Sequence, residues 1–356
     1  MSYTGTKAFG LRIPIVKQGD DLIDLIMSSL NGAYKSGEYQ PKENDIIGIT
    51  ESVVARVDGK YVSVNDIVSD LEQKFPNCGC VYVLTPIYSR NRFSIILRAI
   101  ARYFDKVIIV GPKVDEVGNL IEHPITKVNY KQFYKEIVTQ EGAEFDWYDS
   151  VQFNKTNVST QVIDCILHPE FRPNEFTLPQ NTYHLKDICN DVSEYGLLGS
   201  NKVDEETLKL FPDSKNQGLV DDLRKHVMTE FGLKNVDVMI YGDGCYKDAT
   251  SGIYEFADPV VSPAYTSGLK GTPAELKLKA LADDEFKNLS GDELTQAIKS
   301  RIASKNVVQG TMETQGTTPR NYTDLLGSLM DLISGSGDKG TPVVVVQDYF
   351  KNYSND

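Results

Sequence analysis

The chain has 356 residues, enough for two domains, and its 40% hydrophobic and 24% charged residues exclude collagen-like, coiled-coil and wholly disordered classes. Its formal net charge of −13 is the reverse of the basic excess that nucleic-acid binders need, so neither DNA nor RNA is an expected partner. No apolar run approaches the ~20 residues of a membrane span, so we expect no membrane partner. The first residues lack a signal-peptide pattern, and the five cysteines are too scattered to indicate a disulfide framework. We therefore expect a cytoplasmic protein.

The N-terminal segment shows two clear elements. Apolar residues at helical spacing follow a Gly-Asp-Asp start signal and predict a helix over about 22–30. The polar stretch 31–44 is expected to be a loop, and residues 45–50 form a buried strand. Asp58-Gly59, between Val57 and Tyr61, is typical of a hairpin turn.

Residues 81–130 have the pattern of an α/β unit. Strands are predicted at 81–84 and 107–110, with a helical stripe from Phe93 to Phe104 between them. Four arginines, at positions 90, 92, 98 and 102, either form an anion site or line a solvated helix face. Residues 131–195 are rich in aromatic side chains and predicted to be irregular, as the remainder of an inserted subdomain.

The second half of the chain alternates helices and strands. A helical stripe over 220–231 precedes a strand at 236–241. Thr272 and Glu275 form a capping-box pattern that predicts a helix over about 273–286. An amphipathic helix over 322–333 leads through a glycine-rich loop, 334–342, into a strand at 343–346.

The loop from Ser334 to Pro342 is the most informative segment. Its glycines would let backbone N–H groups surround a phosphate, as in an anion nest. It is not a Walker loop, because the element order is helix, loop, strand and Lys339 precedes the last glycine. The alternative is a plain helix C-cap followed by a connector.

Two further polar clusters follow predicted strands. Asp243, between two glycines, is well placed to hold Mg²⁺ or Mn²⁺, although Asp-Gly also makes turns with no function. Thr50-Glu51-Ser52 is a weaker cluster, with Arg56 four residues later. The four histidines share no spacing with a cysteine or serine that suggests a nucleophile–base pair, which favours structural roles.

Three segments together resemble the GTP-dependent gamma-glutamyl ligase family of deazaflavin (coenzyme F-420) biosynthesis. Arg12-Ile13-Pro14-Ile15 through Leu22 is similar to that family's "Gly-Ile-Pro-x-Ile-Lys-x-Gly-Asp-Asp-Leu". Residues 45–60 resemble its strand and "Ser-Thr-x-x-Ser-Lys-x-Glu-Gly-Arg", and 334–345 resemble "Met-Gly-Gln-x-Asp-Glu-Gly-Ile-Pro-Ala-Val-Val". Gly199-Ser200-Asn201 and 236–244 are weaker echoes, and we can align no counterpart for residues ~80–190.

The resemblance implies a set of site residues. The nucleotide-binding positions would be Arg12, Ile13, Pro14, Ile15, Glu51, Ser52, Arg56, Asn201, Ser334, Gly335, Ser336, Gly337, Asp338, Lys339, Gly340 and Thr341. Asp243 and Arg56 would be catalytic, and Asp243, Asp338 and Ser336 would hold the metal. One family metal position is Leu198 here, which cannot bind a metal, so the metals are rearranged or the chemistry has diverged.

The expected fold is α+β, with mixed and antiparallel sheets, packed helices and a gamma-glutamyl ligase-like core. The core would comprise residues 1–80 and 196–356, and 81–195 would be an inserted α/β subdomain. The resemblance implies an amide ligase that joins L-glutamate or a similar amino acid to a small-molecule acid through an acyl phosphate. The enzyme would use GTP (or ATP) together with Mg²⁺ or Mn²⁺, and it would be a homodimer. The alternative is a non-catalytic nucleotide- or phospho-ligand-binding protein that has kept the ligase fold.

Overall fold

A four-stranded mixed sheet and a five-stranded parallel sheet are the largest sheets in the computed structural model. It describes residues 3–84, 87–89, 91–115, 120–122, 124, 127–156, 161–166, 178–242, 246–247, 254–255, 262–273, 276–304, 321–335 and 337–355. Several sheets packed with helices confirm the α+β class. The chain divides into a first unit, Met1–Val54 with Lys215–Asp243 and Val261–Asp356, and a second unit, Ala55–Ser214 with Gly244–Val260. Residues 81–195, the predicted subdomain, fall inside the second unit.

The elements have the following bounds. The helices are α1 (Leu22–Ser36), α2 (Glu51–Asp58), α3 (Val64–Lys74), α4 (Arg92–Tyr103), α5 (Tyr130–Gln140), α6 (Ser150–Asn154), α7 (Gln217–Phe231), α8 (Leu278–Ala280), α9 (Gly291–Ala303) and α10 (Tyr322–Ser334). The strands are β1 (Lys7–Leu11), β2 (Asp45–Thr50), β3 (Tyr61–Ser63), β4 (Cys80–Leu84), β5 (Lys106–Val110), β6 (Glu144–Tyr148), β7 (Gln161–Asp164), β8 (Thr182–His184), β9 (Ser200–Lys202), β10 (Thr207–Leu210), β11 (Val236–Tyr241), β12 (Tyr246–Lys247), β13 (Tyr254–Glu255) and β14 (Val343–Gln347).

The first unit is built on a mixed sheet of order β1-β14-β2-β11. β14 is antiparallel to both of its neighbours, whereas β2 and β11 are parallel. Leu326 and Met330 of α10 form a buried apolar cluster with Ile46 of β2 and with Val344 and Val346 of β14. Because side chains alternate along a strand, Ile46 and Gly48 share the face that α10 covers.

The second unit contains the parallel sheet, of order β6-β5-β4-β7-β8. Helices α3, α4 and α5 pack in series, and eight residues of α4 are buried. A small antiparallel sheet of order β3-β10-β9 belongs to the same unit. The strands at 81–84 and 107–110 and the helix between them are confirmed.

Two predictions for the N-terminal segment are wrong. The helix that starts at Leu22 continues to Ser36, where Gly37 ends it in the left-handed conformation with a φ of 80°, so residues 31–36 are not a loop. Asp58-Gly59 does not make a hairpin, because residues 51–58 form α2 and Gly59, with a φ of 68°, follows its last turn. A left-handed glycine serves both a hairpin and a helix end, so the dipeptide alone did not distinguish them.

Two predictions elsewhere in the chain also need correction. Residues 131–195 are not simply irregular, since they contain most of α5 and all of β6, α6, β7 and β8. A regular helix over 273–286 is not formed. Its described part has helical turns only over Leu278–Ala280 and Leu281–Glu285, and the second is a wide π turn. Leu281 packs with Ile298 and Ile302 of α9, a tertiary contact that the capping pattern did not predict.

Candidate functional site

Three segments of the first unit meet at one edge of its mixed sheet. Leu11 pairs with Val343, and Val343 pairs with Ile49, so β1 and β2 end where β14 begins. Tyr241 pairs with Thr50 on the parallel strand β11. The loop 334–342 precedes β14 at this edge of the sheet. The segments that follow β1, β2 and β11 therefore begin at the same edge, and they are residues 12–15, 51–52 and 242. The backbone N–H of Thr50 donates to the carbonyl of Pro342 at 2.9 Å and fixes this junction.

The loop after α10 is a compact turn held by its own contacts. Gly335, with a φ of 59°, caps α10 by donating its N–H to the carbonyl of Asp331 at 3.0 Å. Residues Gly337–Lys339 form a single helical turn, which Gly340 closes with a φ of 67°. The Thr341 hydroxyl donates to the carbonyl of Ser334 at 3.1 Å. Gly335 therefore caps α10, as the interpretation of this loop as a plain helix C-cap requires. The rest of the turn has an exposed backbone and an exposed Lys339 side chain at the sheet edge.

Close packing around this loop involves two glycines. A Cβ built on Gly10 of β1 would lie 2.7 Å from Cβ of Thr341, so only glycine lets the loop end pack against that strand. A Cβ on Gly335 would lie 2.5 Å from Nζ of Lys339, which shows that the lysine side chain folds back over the cap. The positive charge is thereby held above the turn.

A buried polar group lies beside the loop. Glu51 is 4% exposed and starts α2, where a carboxylate is favoured by the helix dipole. Tyr241 is 1% exposed, and burial, together with the nearby carboxylates of Asp331 and Glu51, raises the pKa of its hydroxyl. Sequence reasoning missed Tyr241 and Asp331. Tyr241 could have been found as the last residue of a strand that ends beside Gly242, whereas Asp331 has the pattern of an ordinary polar helix position.

The other predicted nucleotide residues of the first unit are at the surface. Arg12, Pro14 and Ile15 are exposed, Ile13 and Ser52 are half-buried, and Asp338 is exposed on the 337–339 turn. Asp243 and Ser336 lie outside the described residues.

Arg56 and Asn201 belong to the second unit. Arg56 is exposed on α2, one turn after Ser52. Asn201 pairs with Lys209 between β9 and β10. Leu198, which stands at the family's metal position, is in a short 3-10 turn before β9.

The described residues only partly fit a metal ion. Asp338 supplies an exposed carboxylate and Glu51 a buried one at the same sheet edge. Among the described residues, no group of three or more His, Cys, Asp or Glu side chains is placed to hold a metal ion.

Arg98 and Arg102 of α4 do not form a free anion site, and Arg90 lies outside the described residues. Nε of Arg102 lies 2.9 Å from Oε2 of Glu141, and its Nη1 lies 3.0 Å from Oε2 of Glu206. Nη1 of Arg98 lies 3.3 Å from Oε1 of Glu206. Two arginines thus face two glutamates, which removes the excess of positive charge that an anion would need.

Arg102→Gln should leave nucleotide affinity unchanged and lower the free energy of unfolding at neutral pH by up to about 1 kcal/mol, because these pairs are partly exposed. The hydrogen bond from Arg102 lowers the pKa of Glu206, so its stabilisation is present above the unfolded pKa of about 4.3 and is lost as pH falls through the lower folded value. Urea unfolding of wild type and variant at neutral and acidic pH measures the difference. A gap that persists after Glu206 is protonated would contradict this assignment.

Comparison with known proteins identifies the family of the chain. A family model described as F420-0:Gamma-glutamyl ligase matches residues 10–348, nearly the whole chain. The class is therefore that of the ligases that form carbon–nitrogen bonds. The chain belongs to the F420-0:gamma-glutamyl ligase family, as its resemblance predicted. No curated protein matches the chain. No helix in the described part of the chain is both long and apolar enough to cross a membrane.

Proposed function

We propose that this chain is a cytoplasmic, homodimeric amide ligase that uses GTP to join L-glutamate, or a similar amino acid, to the carboxylate of a small molecule. The observation that carries the proposal is the meeting of residues 12–15, Glu51-Ser52 and the loop 334–341 at one sheet edge. The family resemblance implies nucleotide contacts at all three segments. Their convergence supports one site built from parts of the chain that are distant in sequence.

The reaction needs no side-chain nucleophile. An oxygen of the acid's carboxylate would attack the γ-phosphorus of GTP, GDP would leave, and an acyl phosphate would result. The amine nitrogen of the amino acid would then attack the acyl carbon, lose its proton, and displace inorganic phosphate. The protein's task is to position the reactants and to stabilise charge on the transferring phosphoryl group.

The loop residues suit that task. Backbone N–H groups of the 337–341 turn would donate to phosphate oxygens, and Lys339 would act as a point charge. Arg56 retains the positive charge that the family has at its position and adds a planar set of donors. We propose Asp243, Asp338 and Ser336 as the ligands of a divalent Mg²⁺ or Mn²⁺ ion, which when bound would neutralise phosphate charge.

Asp243→Asn should weaken Mn²⁺ binding by at least about tenfold, which corresponds to about 1.4 kcal/mol, because an amide replaces the negative ligand. Titration of the metal by calorimetry measures the change. Asp283→Asn is the matched control, because Asp283 lies on the 281–285 turn of the first unit, outside the predicted site. Equal Mn²⁺ affinity in Asp243→Asn and wild type would remove Asp243 from the ligand set.

Turnover with a panel of carboxylic acids and amino acids tests the activity itself. We expect GDP and phosphate to appear only when an acid and an amino acid are both present, together with a product whose mass equals their sum minus water. Saturable GTP binding without GDP release across the panel would favour the alternative, a non-catalytic nucleotide-binding protein. The replacement of a family metal position by Leu198 is the observation that favours that alternative.

A further inference from the structure

The second unit contains a cavity of about 590 Å³. Its walls are helix α3, the adjoining strand β3 and the turn at residues 189–192, all within the described part of the chain. Sites for small organic ligands have volumes of about 300–1,000 Å³. The cavity is therefore large enough for a metabolite-sized molecule, and all of its lining residues belong to the second unit.

The cavity has an apolar base and a polar rim. Val62 and Cys189 are buried in the base, and Tyr61 and Val192 are half-buried beside them. The rim is formed by exposed polar side chains, which are Asp66, Ser69, Gln73, Asn190 and Asp191. The first three follow one another at helical spacing, so they share one face of α3. An apolar base under a polar rim suits an organic ligand that combines a carbon chain with polar ends.

The turn that forms one wall is fixed by hydrogen bonds at both of its ends. Oδ2 of Asp70, on α3, accepts the backbone N–H of Cys189 at 2.9 Å. Nζ of Lys60 donates to the carbonyl of Val192 at 2.7 Å and also pairs with Asp213 at 2.8 Å. The turn is thus held against α3 and against the residue that precedes β3, so the cavity is preformed.

Two carboxylates of the rim carry charge that the fold does not neutralise. Asp66 accepts hydrogen bonds from the hydroxyl and the N–H of Ser63, both at 2.7 Å, which lower the pKa of its carboxyl and keep it ionised at neutral pH. Asp191 is exposed, and its side chain makes no hydrogen bond or ion pair in the part of the chain that the structure describes. The third carboxylate, Asp70, is paired with Lys74, the only cation among the lining residues.

The effect of these charges is seen at Cys189. Burial, followed by the negative charges of Asp70 and Asp191, raises the pKa of its thiol to about 12. Carboxylates from α3 and from the turn therefore act on the same base of the cavity. The thiol stays neutral, and the negative potential favours a positively charged occupant.

The chemistry of the lining favours an organic cation over a metal ion. Among the residues that the structure places, no group of three or more His, Cys, Asp or Glu side chains could hold a metal. A short aliphatic diamine has two ammonium groups for the two carboxylates that lack a cationic partner, and a methylene chain for the apolar base. Each ammonium group also has three donors, which match the polar rim.

We propose that this cavity binds a small aliphatic diamine, whose two ammonium groups contact Asp66 and Asp191 at the rim. The methylene chain lies over the apolar base, and Ser69 and Gln73 supply further acceptors for the ammonium donors. The site belongs to the second unit and does not depend on the proposed ligase activity. Its parts were not marked by the sequence pattern, because α3 and the turn 189–192 are more than a hundred residues apart.

Calorimetric titration of the whole chain with putrescine, an aliphatic diamine, at constant ionic strength tests the proposal. Butylamine and 1,4-butanediol have the same carbon chain with one charge and with none, and they are the ligand controls. We expect saturable binding of putrescine, binding of butylamine that is at least about tenfold weaker, and no binding of the diol. The proposal is overturned if putrescine does not bind, or if either control ligand binds as tightly as putrescine.

Variants of the chain locate the binding. Asp191→Asn should bind putrescine about tenfold more weakly, as expected for loss of a charged hydrogen bond, and should melt near the wild-type temperature. Ser69→Arg, which places a positive charge at the rim, should abolish binding. Glu72→Gln is the matched control, because it removes the same charge from an exposed position of α3 outside the cavity and should bind like wild type. Wild-type affinity in Asp191→Asn, or an equal loss in Glu72→Gln, would show that the diamine does not occupy this cavity.

Discussion

Gly337→Val is expected to weaken GTP binding about a hundredfold or more while barely changing the melting temperature. In the proposed site, a side chain on Gly337 would stand where phosphate oxygens are expected to approach the backbone of the turn. Loss of two charge-assisted hydrogen bonds at about 1.5 kcal/mol each accounts for that factor. The fold should tolerate the change, because a Cβ built on Gly337 meets no heavy atom within 4 Å and the residue does not require a positive φ.

Gly218→Val is the matched control. Gly218 lies exposed in the first turn of α7, in the same unit, and its Cβ would also meet nothing within 4 Å. It should bind GTP like wild type. If Gly337→Val melts normally and still binds GTP with wild-type affinity, the loop is only a connector and the proposed nucleotide site is wrong.

Gly48→Ala is expected to lower the free energy of unfolding by roughly 1–3 kcal/mol. Gly48 lies in the middle of β2 beneath α10, and a Cβ there would lie 2.1 Å from Sδ of Met330 and 3.0 Å from Cδ1 of Tyr241. Both neighbours are buried, so α10 or its side chains must shift. Gly32→Ala, in a helix and with open space around it, should instead stabilise by up to about 1 kcal/mol. Urea unfolding of both variants measures the difference.

A double-mutant cycle separates overpacking from a general loss of strand stability. Met330→Ala alone should cost about 2–5 kcal/mol through the cavity it leaves. Combined with Gly48→Ala it should cost less than the sum, since the new methyl group would occupy part of that cavity. Strict additivity would contradict direct contact between residue 48 and Met330.

The elements that the sequence predicted well share one property, a strong local pattern. β2, β11 and β14 are short apolar runs between polar segments, and α10 has a continuous amphipathic stripe that ends at Gly335. In these four elements, the hydrophobic pattern of the sequence agrees with the burial of the side chains in the structure. Helices α3 and α9 were not predicted, although Ser63 and Asp66 form a capping box at the start of α3.

Where local signals were ambiguous, tertiary structure decided. Asp58-Gly59 has the residues of a hairpin turn, but the preceding residues form α2, whose apolar side chains Val54 and Ala55 are buried. In the predicted helix 273–286, the described residues form an α turn only over Leu278–Ala280 and widen to a π turn over Leu281–Glu285, where the buried Leu281 packs on α9. Neither outcome can be derived from propensity, since each depends on a partner distant in the chain.

In the candidate site, too, local sequence patterns predicted the separate segments but not how the fold brings them together. Motif resemblance identified residues 12–15, 51–52 and 334–341 separately, and the strand order β1-β14-β2-β11 brings them to one edge. The burial of Glu51 and its influence on Tyr241 could not be anticipated, because they depend on how β2 and β11 pair.

The measurement that most directly tests the central claim is a calorimetric titration of the wild-type chain with GTP, and with ATP, in the presence of Mn²⁺. The account predicts saturable binding of GTP, with one nucleotide per chain, that is lost in Gly337→Val and retained in Gly218→Val. If neither nucleotide binds the wild-type chain with Mn²⁺ present, the sheet edge is not a nucleotide site and the proposed ligase activity is contradicted.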